Sequence, residues 1–318
     1  MKLQNSRQLA RSWPHTRYKS FEDSLRQAAK EWFRDRKCEI HQRMDYCLAR
    51  HDLWPQNIIC KDVADYVLQE QKRRIGVGSF PLHKYLHHGL SSQAMAFNLI
   101  GPLIIRNDFG PLKIAIERSN IEWPGGEVKA DFEYYEREVF NENNGQPTSI
   151  DIKLSGACES LFIEAKLVER EFGGCSVFAR GDCEGRNPYP NKLNGCYLHH
   201  IGRNYWQKLD ELGFSGATLV KGAICPFANY YQFFRETMFA LLKQGVFILL
   251  HDERNPAFLR SKDDGIEYGL WPFLYETIPQ NLHHKVGKLS IQSVVEAIQK
   301  SGGHEDWIGD FRKKYGLR

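Results

Sequence analysis

Asp151 stands alone in the run Ser149-Ile-Asp-Ile-Lys-Leu-Ser155. Glu164 and Lys166 stand two apart in Leu161-Phe-Ile-Glu-Ala-Lys166. Each run alternates as a half-buried β-strand does, with successive side chains on opposite faces. Thr148, Ile150, Ile152 and Leu154 share one face of the first run, leaving Ser149, Asp151, Lys153 and Ser155 opposite. In the second run Leu161, Ile163, Ala165 and Leu167 share a face, and Phe162, Glu164, Lys166 and Val168 take the other. If the two strands pair antiparallel with their apolar faces inward, Asp151, Glu164 and Lys166 emerge on the same side.

Two carboxylates meeting on one face can hold a divalent cation. Mg²⁺ favours hard oxygen ligands and keeps several waters, and the Ala165 carbonyl could add another oxygen. Such a metal acidifies bound water and neutralises charge developing on a phosphodiester. A lysine beside it can orient the attacking water or stabilise the pentavalent charge. The plainer reading is a hairpin whose charges stay wet. A second set, Asp108 with Glu127-Val128-Lys129, fits the same spacing, but Glu127 follows the turn Trp-Pro-Gly-Gly and lacks a strand around it.

The elements around these strands follow from periodicity and from stop signals. Phe21, Leu25, Ala28, Ala29, Trp32 and Phe33 recur at helical spacing after Ser20, which reads as an N-cap with Asp23 at the capping-box position. Ile40, Met44, Cys47 and Leu48 extend that pattern toward His51, before Trp54-Pro55. The runs 61–74 and 91–104 are two further helices, with Ser91 or Ser92 as the cap of the latter. Gly76-Val-Gly78 lacks a strand–glycine–helix context and reads as a turn. From about Lys113 strands and turns dominate, and residues 172–200 form an irregular Gly-, Asn-, Pro- and Cys-rich segment. Residues 228–245 are a helix stopped by Gly245, residues 246–252 a buried strand, and residues 291–303 a last helix with a glycine stop. This organisation is a basic helical N-terminal region, 1–105, leading into one mixed α/β domain, 106–318.

A 318-residue chain can bury a large core without crosslinks. No apolar run approaches the roughly 18–20 residues that cross a bilayer, and the first twenty residues lack the apolar centre of a signal peptide, so the expectation is a soluble cytoplasmic protein with no membrane partner. Eight cysteines without a secretion signal suit reduced thiols or a metal site. Residues 1–37 carry ten Lys/Arg against four Asp/Glu, so the rest of a chain of net charge +4 is slightly acidic. A basic arm beside an acidic body suits contact with phosphate by one part and with a cation by the other. An ordinary solvated helix face would carry the same charges.

Several blocks in order resemble a known family. They are Ser91-Ser-Gln-Ala-Met-Ala-Phe-Asn-Leu-Ile-Gly-Pro-Leu103, Phe132-Glu133, residues 162–169, residues 225–235 and residues 251–258. Together, over roughly 80–315, they resemble a bacterial family of restriction-endonuclease-like nucleases of the PD-(D/E)XK superfamily. The resemblance implies a mixed β-sheet core flanked by helices, and Mg²⁺- or Mn²⁺-dependent phosphodiester cleavage, of DNA and in a defence or restriction setting. It makes Asp151 and Glu164 metal ligands, Lys166 the catalytic lysine and Glu133 an upstream acid, with Glu169 as an outer acid. Ile150 replaces the proline of the superfamily name, which removes no ligand. Gln232 and Arg235 sit on the later helix, where several superfamily members carry a glutamine that touches phosphate. The alternative is a module that keeps the fold but only binds nucleic acid or assembles with other proteins.

Cys175, Cys183, Cys196 and Cys225 follow the Glu-X-Lys strand in Gly-rich backbone, with His199 and His200 close to Cys196. Four soft ligands there could hold Zn²⁺ or an iron–sulfur cluster, although no Cys-X-X-Cys pair occurs; ordinary buried thiols are the bland reading. The metal reading requires all four to converge in space. Cys38, Cys47, Cys60 and Cys158 read as ordinary thiols. Pairs such as Tyr134-Tyr135, Tyr205-Trp206 and Tyr230-Tyr231 could stack on bases, but core packing explains most of them.

Overall fold

The computed structural model describes residues 16–74, 80–143, 145–259, 261–263 and 266–317. The Gly76–Gly78 turn and the first fifteen residues of the basic arm lie outside the described residues.

Four helices come first: α1 (Thr16–Asp35), α2 (Lys61–Arg73), α3 (Ser92–Arg106) and α4 (Gly110–Arg118). Then follow β1 (Lys129–Glu136), β2 (Thr148–Ser155) and β3 (Ser160–Lys166). Short helical turns fill the segment up to α5 (Pro226–Leu242), which leads into β4 (Val246–His251). A two-stranded ribbon, β5 (Ser261–Asp263) and β6 (Ile266–Tyr268), precedes β7 (Val286–Ser290), α6 (Ile291–Ser301) and α7 (Glu305–Lys314).

One five-stranded mixed sheet, ordered β1-β2-β3-β4-β7, organises these elements. β1, β2 and β3 form an antiparallel meander, whereas β3, β4 and β7 run parallel. Parallel neighbours need crossover connections, and α5 lies on the crossover between β3 and β4. A sheet of this kind is covered on both faces, so its central strands lose the polar side that a hairpin keeps. Leu161, Ile163 and Ala165 enter one apolar core with Phe97 and Leu99 of α3, Val294 and Ile298 of α6 and Trp307 of α7. Phe162, Phe247 and Leu249 enter a second core with Phe233, Phe234 and Met238 of α5. Every residue of β3 after Ser160 is therefore buried, Glu164 and Lys166 included. The wet hairpin is excluded.

α1 differs from its expected span at both ends. The helix already runs through Ser20, so Ser20 is not its N-cap, and it ends at Asp35 rather than continuing toward His51. Lys37 takes a left-handed φ of 54°, which stops an L-residue helix, and Ile40 and Leu48 then pair as an antiparallel bridge. The helix-like spacing of 40–48 belongs to this looped segment, and Trp54-Pro55 lies in a 3₁₀ turn, His51–Asn57. Ser91 does cap α3, its hydroxyl accepting the Ala94 N–H at 3.2 Å. Buried residues of α1, Phe21, Leu25, Ala29 and Trp32, lie in the same core as β3 and α7. That core spans residue 105 without interruption. Within the described part of the basic arm, Lys30 pairs with Asp45 and Arg36 with Asp310, so part of the surplus charge is neutralised inside the fold. No helix among the described residues is long and apolar enough to cross a membrane.

Candidate active site

The register of β1 and β2 pairs Phe132 with Ile152 and Tyr134 with Ile150, so Glu133 faces Asp151 at the one position the ladder skips. Glu133 carries a positive φ of 52° there, a conformation that costs a non-glycine residue of the order of 1–3 kcal/mol. This local distortion changes what the strands pack against. Phe132 and Ile152 belong to the first core, whereas Tyr134 and Ile150 pack with the second. The register is the same on both sides, so no residue is inserted; the break is a local kink at Glu133, which lies buried, 5% exposed.

The β2–β3 ladder stops at the same level. Its last pair is Ile152 with Ile163, and the next would be Asp151 with Glu164. In place of a backbone partner, the Ala165 N–H donates to Asp151 Oδ2 at 2.8 Å. Glu133, Asp151 and Glu164 thus occupy one row across three adjacent strands, with the sheet opened on both sides of Asp151.

Side chains from three helices and one loop complete the row. Lys166 Nζ donates to Glu164 Oε1 at 2.7 Å and to Gln232 Oε1 at 3.0 Å, while Gln232 Nε2 donates to the same Glu164 oxygen at 2.6 Å. Gln232 is held by both its ends. Its backbone N–H donates to Gly173 O at 2.9 Å, and its Oε1 accepts the Gly173 N–H at 3.3 Å. The Cys175 N–H reaches Phe227 O at 2.9 Å. Segment 173–175 therefore occupies hydrogen bonds that α5 would otherwise make with itself, which accounts for the non-helical Tyr230 (φ −126°, ψ 31°) inside α5. Gly174 permits the approach, since a Cβ there would meet Ala228 O at 2.3 Å.

Glu133 is held from the first helices. Gln93 Nε2 donates to Glu133 Oε1 at 2.6 Å, and Arg74 Nη1 donates to its carbonyl at 3.0 Å. Glu169 accepts from Ser92 Oγ and from the Leu167 N–H, each at 2.7 Å, tying the end of β3 to α3. It has no hydrogen bond to Asp151 or Glu164 and reaches Lys166 only through its charge. A cavity of about 240 Å³ opens on this side, lined in part by Arg26, His83, Ser92 and Glu169 but by none of Asp151, Glu164 and Lys166.

The electrostatics follow from crowding acids out of water. Burial, then the neighbouring Glu164, push the Glu133 carboxyl up to about 7, against the pull of Gln93. Asp151 is raised well above the usual carboxylate range by burial, by Glu164 and by Glu133. Burial alone would lower Lys166, but Glu164, Glu169, Glu236 and Asp151 outweigh it and hold its ammonium above the ordinary range. The acids outnumber the one lysine, so Glu133 and Asp151 resist ionisation unless a further cation is present.

Hard oxygen donors whose ionisation is opposed only by burial and by one another fit a divalent cation such as Mg²⁺ in chemistry. Among the described residues no three His, Cys, Asp or Glu side chains are arranged to hold one metal ion. Mg²⁺ does not need three, because it is commonly bound through one or two carboxylates with water and substrate phosphate.

Gln232 and Arg235 diverge. Arg235 sits 4.9 Å above the Tyr231 ring, and its electrostatic neighbours are Tyr231, Glu236, Tyr205 and Glu142. Glu236, one turn after Gln232, was not singled out in the sequence. It is 1% exposed, its Oε2 lacks a hydrogen-bond partner, and burial with Glu164 nearby raises its carboxyl well above the usual range. Gln93 was equally hidden, its only signal being a polar residue in the first turn of a mostly apolar helix. The second Asp-Glu-Lys set does not assemble: Asp108 bonds to His304 at 3.1 Å, and Glu127 and Lys129 are exposed.

All eight cysteines are free thiols. Cys175 and Cys225 are buried, Cys183 and Cys196 are half-buried, and Cys175 lies within electrostatic reach of Cys183 and Cys196, as Cys225 does of Cys175 and Cys196.

Comparison with curated proteins and with solved structures gives no match. A family model does match, over residues 26–316, and it takes in the strand row, the helix bearing Gln232 and the helices that hold Glu133. Its description is restriction endonuclease associating with ARP, and the chain belongs to that family.

Proposed function

We propose that the chain is a divalent-metal-dependent nuclease that hydrolyses phosphodiester bonds of DNA. Membership of a restriction-endonuclease family supports a nuclease-type role. The observation that carries the finer reading is the acid row with Lys166 against it, set where both strand ladders open. Folding does not otherwise favour burying Glu133, Asp151 and Glu164 together, since each raises the cost of ionising the next. Sites that keep such costs are commonly sites of chemistry.

In this reading Asp151 and Glu164 hold Mg²⁺ or Mn²⁺ with water. When bound, the metal supplies an acidified water and neutralises charge on the phosphate. Lys166 keeps its ammonium at neutral pH and stabilises the negative charge that grows on the phosphoryl oxygens as water adds and the bridging P–O bond breaks. The departing oxygen leaves with a proton from solvent or from a protonated carboxyl of the row. Glu133 acts through Asp151 by its charge and through the kink at which the ladder opens. Gln232 covers Glu164 in the resting protein, so the phosphate enters by taking the Gln232 amide away from Glu164 Oε1.

The family description names an association with ARP, and we extend that association to this chain as part of the proposal. Purified protein incubated with circular DNA, linear DNA and RNA in Mg²⁺, Mn²⁺ or EDTA tests the reading. Cleavage of DNA that EDTA abolishes is expected. Binding of DNA without cleavage under every metal condition favours the non-catalytic module instead.

A further inference from the structure

We propose that the cavity beside Glu169 receives one nucleobase that carries an exocyclic amino group. This rests on the nuclease reading only for the source of the base, a strand whose backbone crosses the acid row. The recognition itself follows from the cavity.

Hydrogen bonds fix the walls and join them to the acid row. Gln93 Nε2 donates to Glu133 Oε1 at 2.6 Å and to Pro81 O at 2.8 Å, while its Oε1 accepts the His83 N–H at 2.8 Å. Asn57 Nδ2 donates to Leu86 O at 2.7 Å and to His88 O at 2.8 Å. The Leu48 and Gly89 N–H groups reach His87 O and Tyr46 O, each at 3.0 Å. A segment held this firmly still leaves Tyr85, a lining residue, 46% exposed. Its ring centroid stands 5.3 Å from that of His83 and 4.8 Å from that of His88. An exposed, pre-positioned ring of this kind is a platform on which a base can stack.

The lining selects a base over a phosphate. Glu22 and Glu169 bring two carboxylates to the cavity against the single guanidinium of Arg26. Burial lowers His83, and burial with the neighbouring His87 lowers His88 to about 4, so neither ring adds positive charge at neutral pH. An anion would meet net negative charge there. An exocyclic amino group instead donates to a carboxylate, as cytosine N4 does to Glu or Asp. Arg26 offers the complementary donor for a ring nitrogen or carbonyl. Its Nη2 is held by Glu22 Oε1 at 2.6 Å, but its Nε is buried with no hydrogen-bond partner among the described residues. Thymine, which lacks an amino group, fits this set least.

Size and reach agree with one base. The volume of about 240 Å³ falls short of the roughly 300–1,000 Å³ that enclose drug-sized ligands, so a ring system fits and its sugar-phosphate stays outside. The exposed Lys84 stands there, its Nζ 4.7 Å from the Tyr85 ring centroid. A base in such a cavity is unpaired, in a single strand or turned out of a duplex. Glu169 lies three residues beyond Lys166, at most about 11 Å of extended chain. Nucleotides rise about 3.4 Å each along a duplex strand, which puts the captured base within about three nucleotides of the phosphate at the row.

Titration calorimetry on the full chain in EDTA tests this without any cleavage. The ligands are dCMP, dAMP, dGMP, dTMP and deoxyribose 5-phosphate. The three amino-bearing nucleotides should bind at least about fivefold more tightly than dTMP or the sugar phosphate. Tyr85→Ala should weaken them about tenfold, and Arg26→Ala should weaken them as well. A single-stranded oligonucleotide with one abasic position moved along it separates the two sources of a base. Loss of affinity at one register places a base of the strand in the cavity. Unchanged oligonucleotide affinity, with the free nucleotides still bound, assigns the cavity to a free nucleotide. Equal affinity for the sugar phosphate, no binding by any of these ligands, or unchanged affinity in Tyr85→Ala overturns the proposal. Because Tyr85 is exposed, that variant decides even if Arg26→Ala does not fold. A chain that binds the bases but never cleaves would sink the nuclease reading and leave this one standing; cleavage without base binding would do the reverse.

Discussion

Gln232 Nε2 and Lys166 Nζ donate to the same oxygen of Glu164, at 2.6 and 2.7 Å, so one carboxylate oxygen fixes both the helix and the lysine. Gln232→Ala removes one donor to Glu164 and, with Gln232 Oε1, one acceptor of the Lys166 ammonium. Residues that orient a catalytic group commonly cost 10–100-fold when lost, and about that reduction in kcat is expected here. Because Gln232 contacts the loop at Gly173 mainly through its backbone, the fold should survive, as circular dichroism would show. Full activity in Gln232→Ala would leave the helix without a role in the chemistry.

Glu133 gives a prediction about stability and pH. Its ordinary value in an unfolded chain is about 4.3, against about 7 in the fold. A carboxyl raised in the folded state contributes stability that is fully present below about pH 4.3 and is lost as pH rises through about 7. Metal-free protein should therefore melt at a lower temperature at about pH 8 than at about pH 6. Glu133→Gln, which can still accept from Gln93, should flatten that dependence. A melting curve for Glu133→Gln that tracks the unaltered protein at both values would contradict the assignment.

Metal binding should show the opposite slope. A divalent cation between Asp151 and Glu164 must displace the proton that burial and crowding retain on Asp151, so affinity should rise with pH. Isothermal titration with Mg²⁺ in two buffers of different ionisation enthalpy would count the protons released. No proton release, with pH-independent affinity, would mean that the cation binds elsewhere.

Glu236 separates a charged role from a neutral one. Burial and Glu164 favour its protonated form, which Gln mimics in shape and charge. Glu236→Gln should therefore keep cleavage at neutral pH within about threefold, a change of less than 1 kcal/mol in the barrier. Glu164→Gln should abolish it. Equal losses in the two variants would make Glu236 an ionised member of the site.

Much of the site was legible because strand alternation is a short-range signal. Ile152 and Leu154 do share one core, as the alternation predicts, but Ile150 packs in the other core, on the far side of the break at Asp151. The spacing of Glu164 and Lys166 follows the alternation. What the alternation could not reveal was that α5 and the 172–225 segment cover the second face, so that Glu164 and Lys166 are buried. Nor does any local pattern announce the left-handed Glu133, since its conformation is imposed by the Phe132–Ile152 and Tyr134–Ile150 pairs on either side. Gln93 and Glu236 were invisible for a related reason: a buried polar residue in an apolar helix is informative only once its partner is known. The region 36–50 misled because Ile40 and Leu48, eight apart, satisfy a helical repeat and a bridge equally well.

The account turns on whether Asp151 and Lys166 act on phosphate, and nicking of circular DNA in Mg²⁺ measures that most directly. Unaltered protein, Asp151→Ala and Lys166→Ala would be assayed side by side, with folding verified by circular dichroism and Mg²⁺ affinity by titration. The account predicts EDTA-sensitive nicking by the unaltered protein. It predicts a loss of at least about 10²–10³-fold in Lys166→Ala with Mg²⁺ still bound, and loss of both nicking and Mg²⁺ binding in Asp151→Ala. Nicking by both folded variants at the rate of the unaltered protein would contradict it.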